Sequence, residues 1–350
     1  MDKITINGSG SYEVIIQRDI LSSVGEFILP QIGGEKALIV TDSNVGGLYL
    51  HILTDSLRDV GYETVDIILS PGEESKDIDN YIFLLNILAE RNFSSSDIIV
   101  AFGGGVIGDL TGFVASTYHR GTKFIQIPTT LIAAVDSSVG GKNSINLPVA
   151  KNQVGTIRNP SVVICDPSVL STLSDESKLD GYAEIIKYGI LSGYEIIDKL
   201  HLAIENDDYS DIISASVRIK KNVVEMDESD TSFRQYLNLG HLIGHAIEAH
   251  SDYSISHGQA VAYGLALETR ACAFAGFTSL TTYNKVTSLL REFGFDIDET
   301  YRFEDLMPYI LHDKRIRNGV IQILIPVNIG ECIMRPLEVS FLSDFIKLAL

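Results

Sequence analysis

The stretch AFGGGVIGD, residues 101–109, follows a short apolar run and opens a helical pattern. It contains G-x-G-x-x-G as Gly103, Gly105 and Gly108. Glycines at such a turn let backbone N–H groups approach a phosphate, which then rests on the positive end of the helix. The same residues would also serve a tight turn with close helix packing. Two features set the loop apart from the usual dinucleotide fingerprint. It follows the third sheet strand of the pattern rather than the first, and no acidic residue stands ~20 positions downstream.

Outward from this loop, KALIVT (36–41), ETVDIIL (63–69), DIIVAF (97–102), KFIQIP (123–128) and SVVICD (161–166) read as short, β-branched, buried strands. Residues 44–60 and 77–92 carry helical spacing between them, with starts at SNV and ESKD. Strand–helix alternation of this kind predicts a parallel, doubly wound sheet whose ligands lie beyond the carboxyl ends of the strands. After about residue 170 periods near 3.6 dominate, over 178–193, 195–206, 210–226, 238–250, 257–275, 279–291 and 303–312. Only GVIQILIP (319–326) interrupts them as a strand. The expected architecture is an α/β Rossmann-like domain over 1–170 and a mostly α-helical domain over 171–350, with the cleft between them as the default active site.

The chain has 350 residues, long enough for two cores, and its 45% hydrophobic content marks a globular protein. Twenty-seven Lys and Arg stand against 46 Asp and Glu, a net charge of −19, which speaks against a nucleic-acid partner. An anionic small substrate remains possible where the few cations converge. No apolar run approaches a bilayer span, and the first residues alternate like a strand instead of forming a signal-peptide core. Cys165, Cys272 and Cys332 are odd in number and widely spaced, as expected of a reducing cytoplasm.

Several polar positions stand out. Asp42 and Asn44 in TDSNV follow a strand and could hold ribose hydroxyls, although a plain helix cap at Ser43 or Asn44 explains them equally well. The segment 128–155 has paired threonines, Asp136 among apolar residues, and the pairs Lys142-Asn143 and Lys151-Asn152, which tilt it toward phosphate binding. Glu184 and Lys187 are three apart on a helix, a spacing that usually means a surface salt bridge, but the flanking Tyr, Ala and Ile make the face partly buried and weaken that reading. The sequence LNLGHLIGHAIEAH (237–250) stacks His241 and His245 on one helical face, with His257 downstream. Spacing alone nominates His241, His245 and His257 as metal ligands. The Glu expected after the first His of a zinc protease is Leu242 here. The basic HDKRIRNG (312–319) lies beside the late strand.

Together, the run from Gly103 to Gly155, Glu-x-x-Lys at 184–187, Arg-x-x-x-Asn-x-x-His-x-x-x-His at 234–245 and His257-Gly resemble the 3-dehydroquinate synthase family, in matching order from about residue 36 to 326. The resemblance implies an NAD- and divalent-metal-dependent enzyme, with zinc or cobalt, that converts 3-deoxy-D-arabino-heptulosonate 7-phosphate to 3-dehydroquinate and phosphate. It also implies a cytoplasmic homodimer with a small sugar-phosphate substrate and no membrane partner. Carried over by position, the metal ligands implied are Glu184, His241 and His257, which turns His245 into a polar or proton-relay residue. The NAD positions implied are Asp42, Asn44, Glu73, Lys76, Gly104, Gly105, Val106, Asp109, Thr129, Thr130, Lys142, Lys151 and Thr172. Substrate phosphate would meet Lys142, Asn152, Asn238 and Lys314, with Arg120 from a second subunit. The carboxylate would meet Arg234 and Lys220, and the ring hydroxyls Asp136 and Lys187.

In the reaction so implied, a hydroxyl is oxidised transiently by the nicotinamide, phosphate is eliminated, and the electron pair returns before ring closure, so no reduced cofactor is released. Departures from the family pattern fall at Asp230 (usually Glu), Leu242 (Thr or Ser), Gln259 (Glu) and Arg315 (Lys). Metal-dependent polyol and glycerol-phosphate dehydrogenases share the glycine loop and helical histidines and form the rival reading. A scaffold that merely binds NAD is the third.

Overall fold

The chain opens with an antiparallel pair, β1 (Asp2–Ile6) and β2 (Tyr12–Ile16), and helix α1 (Val24–Ile32). Strand–helix alternation follows: β3 (Lys36–Asp42), α2 (Ser43–Asp59), β4 (Glu63–Leu69), α3 (Ile78–Glu90), β5 (Ile98–Gly103), α4 (Gly105–Thr117) and β6 (Lys123–Pro128). A hairpin of β7 (Lys142–Leu147) and β8 (Ala150–Ile157) precedes β9 (Val162–Cys165). The structure, a computed structural model, describes residues 1–148 and 150–350.

Seven strands form one sheet in the order β1-β2-β9-β6-β5-β3-β4, parallel throughout except at β1. Ala37–Val40 and Ile98–Val100 are buried on both faces, which is why these strands read as unbroken apolar runs and not as alternating ones. From β3 the chain steps outward to β4, then returns to the other flank of β3 with β5 and β6. The carboxyl ends of β3 and β5 therefore flank the point where strand order reverses, the ligand-binding position of open parallel sheets. Asp42 ends one of these strands and Gly103 the other.

The remaining elements are α5 (Asp175–Ser192), α6 (Tyr194–Asn206), α7 (Ser210–Met226), α8 (His241–His250), α9 (His257–Phe274), α10 (Leu280–Glu292), α11 (Phe303–Ile310), the antiparallel ribbon β10 (Val320–Asn328) and β11 (Glu331–Glu338), and α12 (Val339–Ala349). Ile243 and Ile247 of α8 pack with Ala260 of α9, Leu306 of α11, Ile325 of β10 and Ile346 of α12 in one apolar core.

The chain forms two compact units, Met1–Leu173 with Asp207–Ser229, and Ser174–Asn206 with Asp230–Leu350. A single break at 170/171 does not describe this division. Helix α7 lies in the first unit because its buried face, with Ile213, Val217 and Lys220, packs against β1, β2 and a π-helical turn at Ala133–Ser137. Nor does β10 stand alone among helices. Its partner β11 shows no apolar run because one face is exposed and Pro336 interrupts it, as befits the edge of a two-stranded ribbon. The β7–β8 hairpin was equally silent in the sequence, being short and largely polar. No helix among the described residues is long and apolar enough to cross a membrane.

Helix α4 reaches the hairpin through Gly112. A Cβ there would stand 1.9 Å from Asn143 Oδ1 and 3.0 Å from Phe124 Cε1. Asn143 cannot swing aside, because its Nδ2 donates to the carbonyls of Gly141 (2.8 Å) and Arg158 (3.0 Å). Gly112→Ala is therefore expected to destabilise the protein by about 1–3 kcal/mol through overpacking. Thermal unfolding checks this: a variant melting with the parent would mean that α4 and β7 pack loosely.

Candidate functional site

Glu184 and Lys187 lie on α5 within a stretch, Ala183–Leu191, that is buried all round. Their side chains are 1% and 2% exposed and form an ion pair through Glu184 Oε2, so the surface salt bridge suggested by spacing is a buried one. Two helix starts converge on the other oxygen, Oε1. His241 is the first residue of α8, and its Nε2 is 3.4 Å from Glu184 Oε1. His257 is the first residue of α9, capped by Ser256, and its Nε2 is 3.2 Å from the same oxygen.

Both imidazoles are steered from behind. His241 Nδ1 is 3.0 Å from the Leu239 carbonyl, which puts the proton on Nδ1 and leaves the Nε2 lone pair toward Glu184. His257 Nδ1 is 3.3 Å from Glu248 Oε1, the carboxylate–histidine arrangement that orients metal ligands. A tetrahedral ion with ligand bonds of about 2.0–2.1 Å needs its donor atoms about 3.3–3.4 Å apart. The measured 3.2 and 3.4 Å fit that requirement, and one carboxylate with two imidazoles is a donor set suited to zinc or cobalt.

Burial alone would push the Glu184 carboxyl up, but Lys187 and His241 outweigh it and hold Glu184 well below the ordinary range. Burial lowers His241. Burial also works against a proton on His257, yet its hydrogen bonds to Glu184 and Glu248 prevail and push it up to about 10.

His245 is exposed, its ring 5.1 Å from that of His241 and 6.1 Å from that of His257. It lies outside the Glu184 set but can join Glu248 and His257 in a second group. This separates it from the trio nominated by spacing. Arg234 is buried and Asn238 half-buried on a 3-10 turn, Phe233–Asn238, directly before α8. Lys314 is exposed in the turn where Asp313 holds Arg315 through a two-pronged pair. Among the departures, Leu242 packs into the helical core, Gln259 donates to the Asp296 carbonyl, and Asp230 adopts a left-handed φ of 56°. The sequence reading missed Glu248, although it stands seven residues after His241 and so on the same helical face.

The second cluster lies in the first unit. Gly104 precedes α4 with φ −74°, so it is not required for an unusual backbone; a Cβ there would meet Thr130 Cγ2 at 3.0 Å, and one on Gly105 would meet Ser137 Oγ at 3.1 Å. The glycines thus leave an open cradle where Gly105 and Val106 begin α4, and no described side chain caps that end. Thr129 N–H donates to the Gly103 carbonyl, bringing Thr129 and Thr130 beside the loop. Asp42 itself caps α2, accepting from the N–H of Asn44 (2.8 Å) and Val45 (3.2 Å), so the cap falls on neither Ser43 nor Asn44. Thr172 is tied to α2 through Tyr49 Oη at 3.0 Å.

Lys76 is buried and donates to Asp109 Oδ2 at 2.6 Å and to Asn152 Oδ1. Glu73 accepts from Asn146 Nδ2 at 2.7 Å and lies 3.8 Å from Lys151 Nζ. Asn152 therefore joins the expected nucleotide positions Glu73, Lys76, Asp109 and Lys151. Asn146 completes that network, and nothing in the residue pattern singles it out. Lys142 begins β7 and is exposed, as is Arg120, which has φ 62°. Asp136 sits in the π-helical turn with Lys220 Nζ 2.9 Å from its Oδ1 and 2.6 Å from its carbonyl. These two residues, read separately in the sequence, form one pair.

Two outcomes follow from this electrostatic arrangement. Burial raises the Asp109 carboxyl, and Lys76 works against that rise. Lys76→Met should strand the carboxylate and cost about 3–5 kcal/mol, read by denaturant unfolding. His257, protonated at neutral pH, must lose that proton for Nε2 to ligate a cation. Zinc binding at pH 7 should release about one proton and tighten as pH rises. Calorimetry in buffers of different ionisation enthalpy measures it; buffer-independent heats would mean that His257 carries no extra proton before the cation binds.

Comparison with known proteins agrees with this geometry. The 3-dehydroquinate synthase N-terminal family model matches residues 66–180 and its C-terminal counterpart residues 181–316. The 3-dehydroquinate synthase of Streptococcus suis (strain 05ZYH33) is 37% identical over 355 residues, covering 99% of both chains. Among solved structures, a 2-deoxy-scyllo-inosose synthase complexed with carbaglucose-6-phosphate, NAD+ and Co2+ superposes with a TM-score of 0.86 at 21% identity over the full length of both chains. A 2-epi-5-epi-valiolone synthase from Streptomyces hygroscopicus subsp. jinggangensis 5008, with NAD+ and Zn2+ bound, gives 0.88 at 22%, covering 99% of this chain and 97% of the other. With both family models matched in sequence and a curated relative aligned from end to end, the chain belongs to the 3-dehydroquinate synthase family.

Proposed function

We infer that the chain converts 3-deoxy-D-arabino-heptulosonate 7-phosphate to 3-dehydroquinate and phosphate, using NAD and a divalent cation. The observation that carries this reading is Glu184 Oε1 placed 3.2 and 3.4 Å from two imidazole nitrogens, in a chain aligned end to end with 3-dehydroquinate synthases. Glu184, His241 and His257 would hold zinc or cobalt, and the turn at Gly104–Val106 with Asp42, Glu73, Lys76, Asp109, Thr129 and Lys151 would hold NAD. When bound, the cation would supply Lewis acidity to a substrate hydroxyl, and the nicotinamide would take and return the hydride of the carbon bearing that hydroxyl.

The chain's own residues do the rest. Lys187 keeps Glu184 ionised through their buried ion pair, and in this reading it would also donate to a substrate hydroxyl. Lys220 keeps Asp136 paired, so that its carboxylate presents an acceptor to another. Arg234 offers a planar fork of donors that suits the substrate carboxylate. Asn238, Asn152, Lys142, Lys314 and, from a second subunit, Arg120 are assigned to the phosphate. His245, exposed with its ring 5.1 Å from that of His241, is assigned the proton relay. The same reading makes the protein a cytoplasmic homodimer; its described cysteines are all free thiols, which suits that compartment.

Incubation with the keto-acid phosphate, NAD and Zn2+ should release phosphate stoichiometrically while absorbance of reduced nicotinamide stays flat. Accumulating NADH would instead favour a polyol or glycerol-phosphate dehydrogenase. Chelation should abolish turnover, and Zn2+ or Co2+ should restore it. Arg234→Ala should raise KM at least tenfold, an effect of about 1.4 kcal/mol or more on substrate binding; a variant with unchanged KM would remove the carboxylate contact.

A further inference from the structure

Helix α8 begins with a cation-ligating candidate, His241, and yet has no cap of its own. Gly240 occupies the N-cap with φ 80° and ψ −12° and brings no side chain. The N–H groups of that first turn, which have no partner within their own helix, are buried and are satisfied from another helix. Glu268, on α9, accepts from Gly240 N–H through Oε2 (3.0 Å) and from Leu242 and Ile243 N–H through Oε1 (2.8 and 3.0 Å). It is 6% exposed.

Ala260, Gly264 and Glu268 recur every fourth residue along α9 and so form one stripe. Each meets α8 backbone. A Cβ on Gly264 would lie 1.8 Å from the Gly240 carbonyl oxygen, and one on Gly244 would lie 2.9 Å from the Ala260 carbonyl oxygen. The two backbones are thus in contact at two levels, with Glu268 closing the third. Because α9 itself begins with His257, the carboxylate fixes how far α8 slides along the helix bearing the other imidazole. A shift of one residue, about 1.5 Å along a helix axis, would carry His241 Nε2 out of reach of an ion held at Glu184 Oε1.

We propose that Glu268 is a positioning residue of the cation site: it locks the register of α8 on α9 and holds the Glu184–His241–His257 donor set in place before any cation arrives. The proposal rests on the metal reading above. Glu268→Gln keeps the shape and one carbonyl but presents an N–H to one of the three backbone donors. The expected result is a folded protein whose Co2+ affinity, measured by chelator competition, falls about 10- to 100-fold, with an altered Co2+ ligand-field spectrum at saturation. Activity should return when Co2+ is supplied in excess, which a lost substrate contact would not allow.

Unchanged Co2+ affinity in folded Glu268→Gln would overturn the proposal and leave the metal reading intact, whereas a parent protein that binds no Co2+ would remove the metal reading itself. Should the variant fail to fold, amide hydrogen exchange on the parent decides. Protection of 240–243 that is equal with and without Co2+ upholds a prebuilt site, and protection appearing only with Co2+ overturns it.

Discussion

Everything in the second unit answers to one carboxylate taken out of water. Glu184 is 1% exposed, and an isolated ion at that depth would be unaffordable without compensating charge. Lys187 neutralises one oxygen from the next turn of the same helix, and the imidazoles of two other helices close on the second. The arrangement leaves three donor atoms around a space of ionic size. The buried charge is at once a demand on stability and the reason the three helices must meet.

How they meet is set at helix starts. His241 and His257 are each the first residue of their helix, where the backbone has just turned and the ring is held by short local contacts: the Leu239 carbonyl for one, Glu248 for the other. Small residues permit the approach, since Gly240, Gly244 and Gly264 let α8 and α9 touch backbone to backbone. In the first unit glycine has a different use. At Gly104 and Gly105 it keeps side-chain volume away from Thr130 and Ser137 and leaves the start of α4 open. Neither case is a matter of left-handed backbone except at Gly240.

Much of this was legible in the residues. The parallel strands announced themselves because burial on both faces removes alternation, and the helices of the second half kept their period. The glycine loop, Glu184 with Lys187, and the histidines were visible as motifs; the resemblance implied His257 in place of His245 beside Glu184 and His241, and His257 Nε2 lies 3.2 Å from Glu184 Oε1. What stayed hidden depends on tertiary partners. Asp136 and Lys220 are 84 residues apart, and only the packing of α7 joins them. Glu268 looks like an isolated acidic residue in a largely apolar helix until the uncapped turn at Gly240 is known. The hairpin 142–157 places Ile145 in the apolar core, but its other ties, polar contacts to Glu73 and Lys76 and the fit of Gly112, leave no hydrophobic pattern.

The excursion of α7 bears on how the polypeptide emerges from the ribosome. The first unit is not finished when its last sheet strand, β9, has been made at Cys165, because α7 with Lys220 begins only at Ser210, after α5 and α6. During that interval the turn bearing Asp136 and the outer side of β1 lack their cover. Synthesis order and structural order are thus out of step. A truncation at the apparent sequence boundary would yield an incomplete first unit and not a separable module.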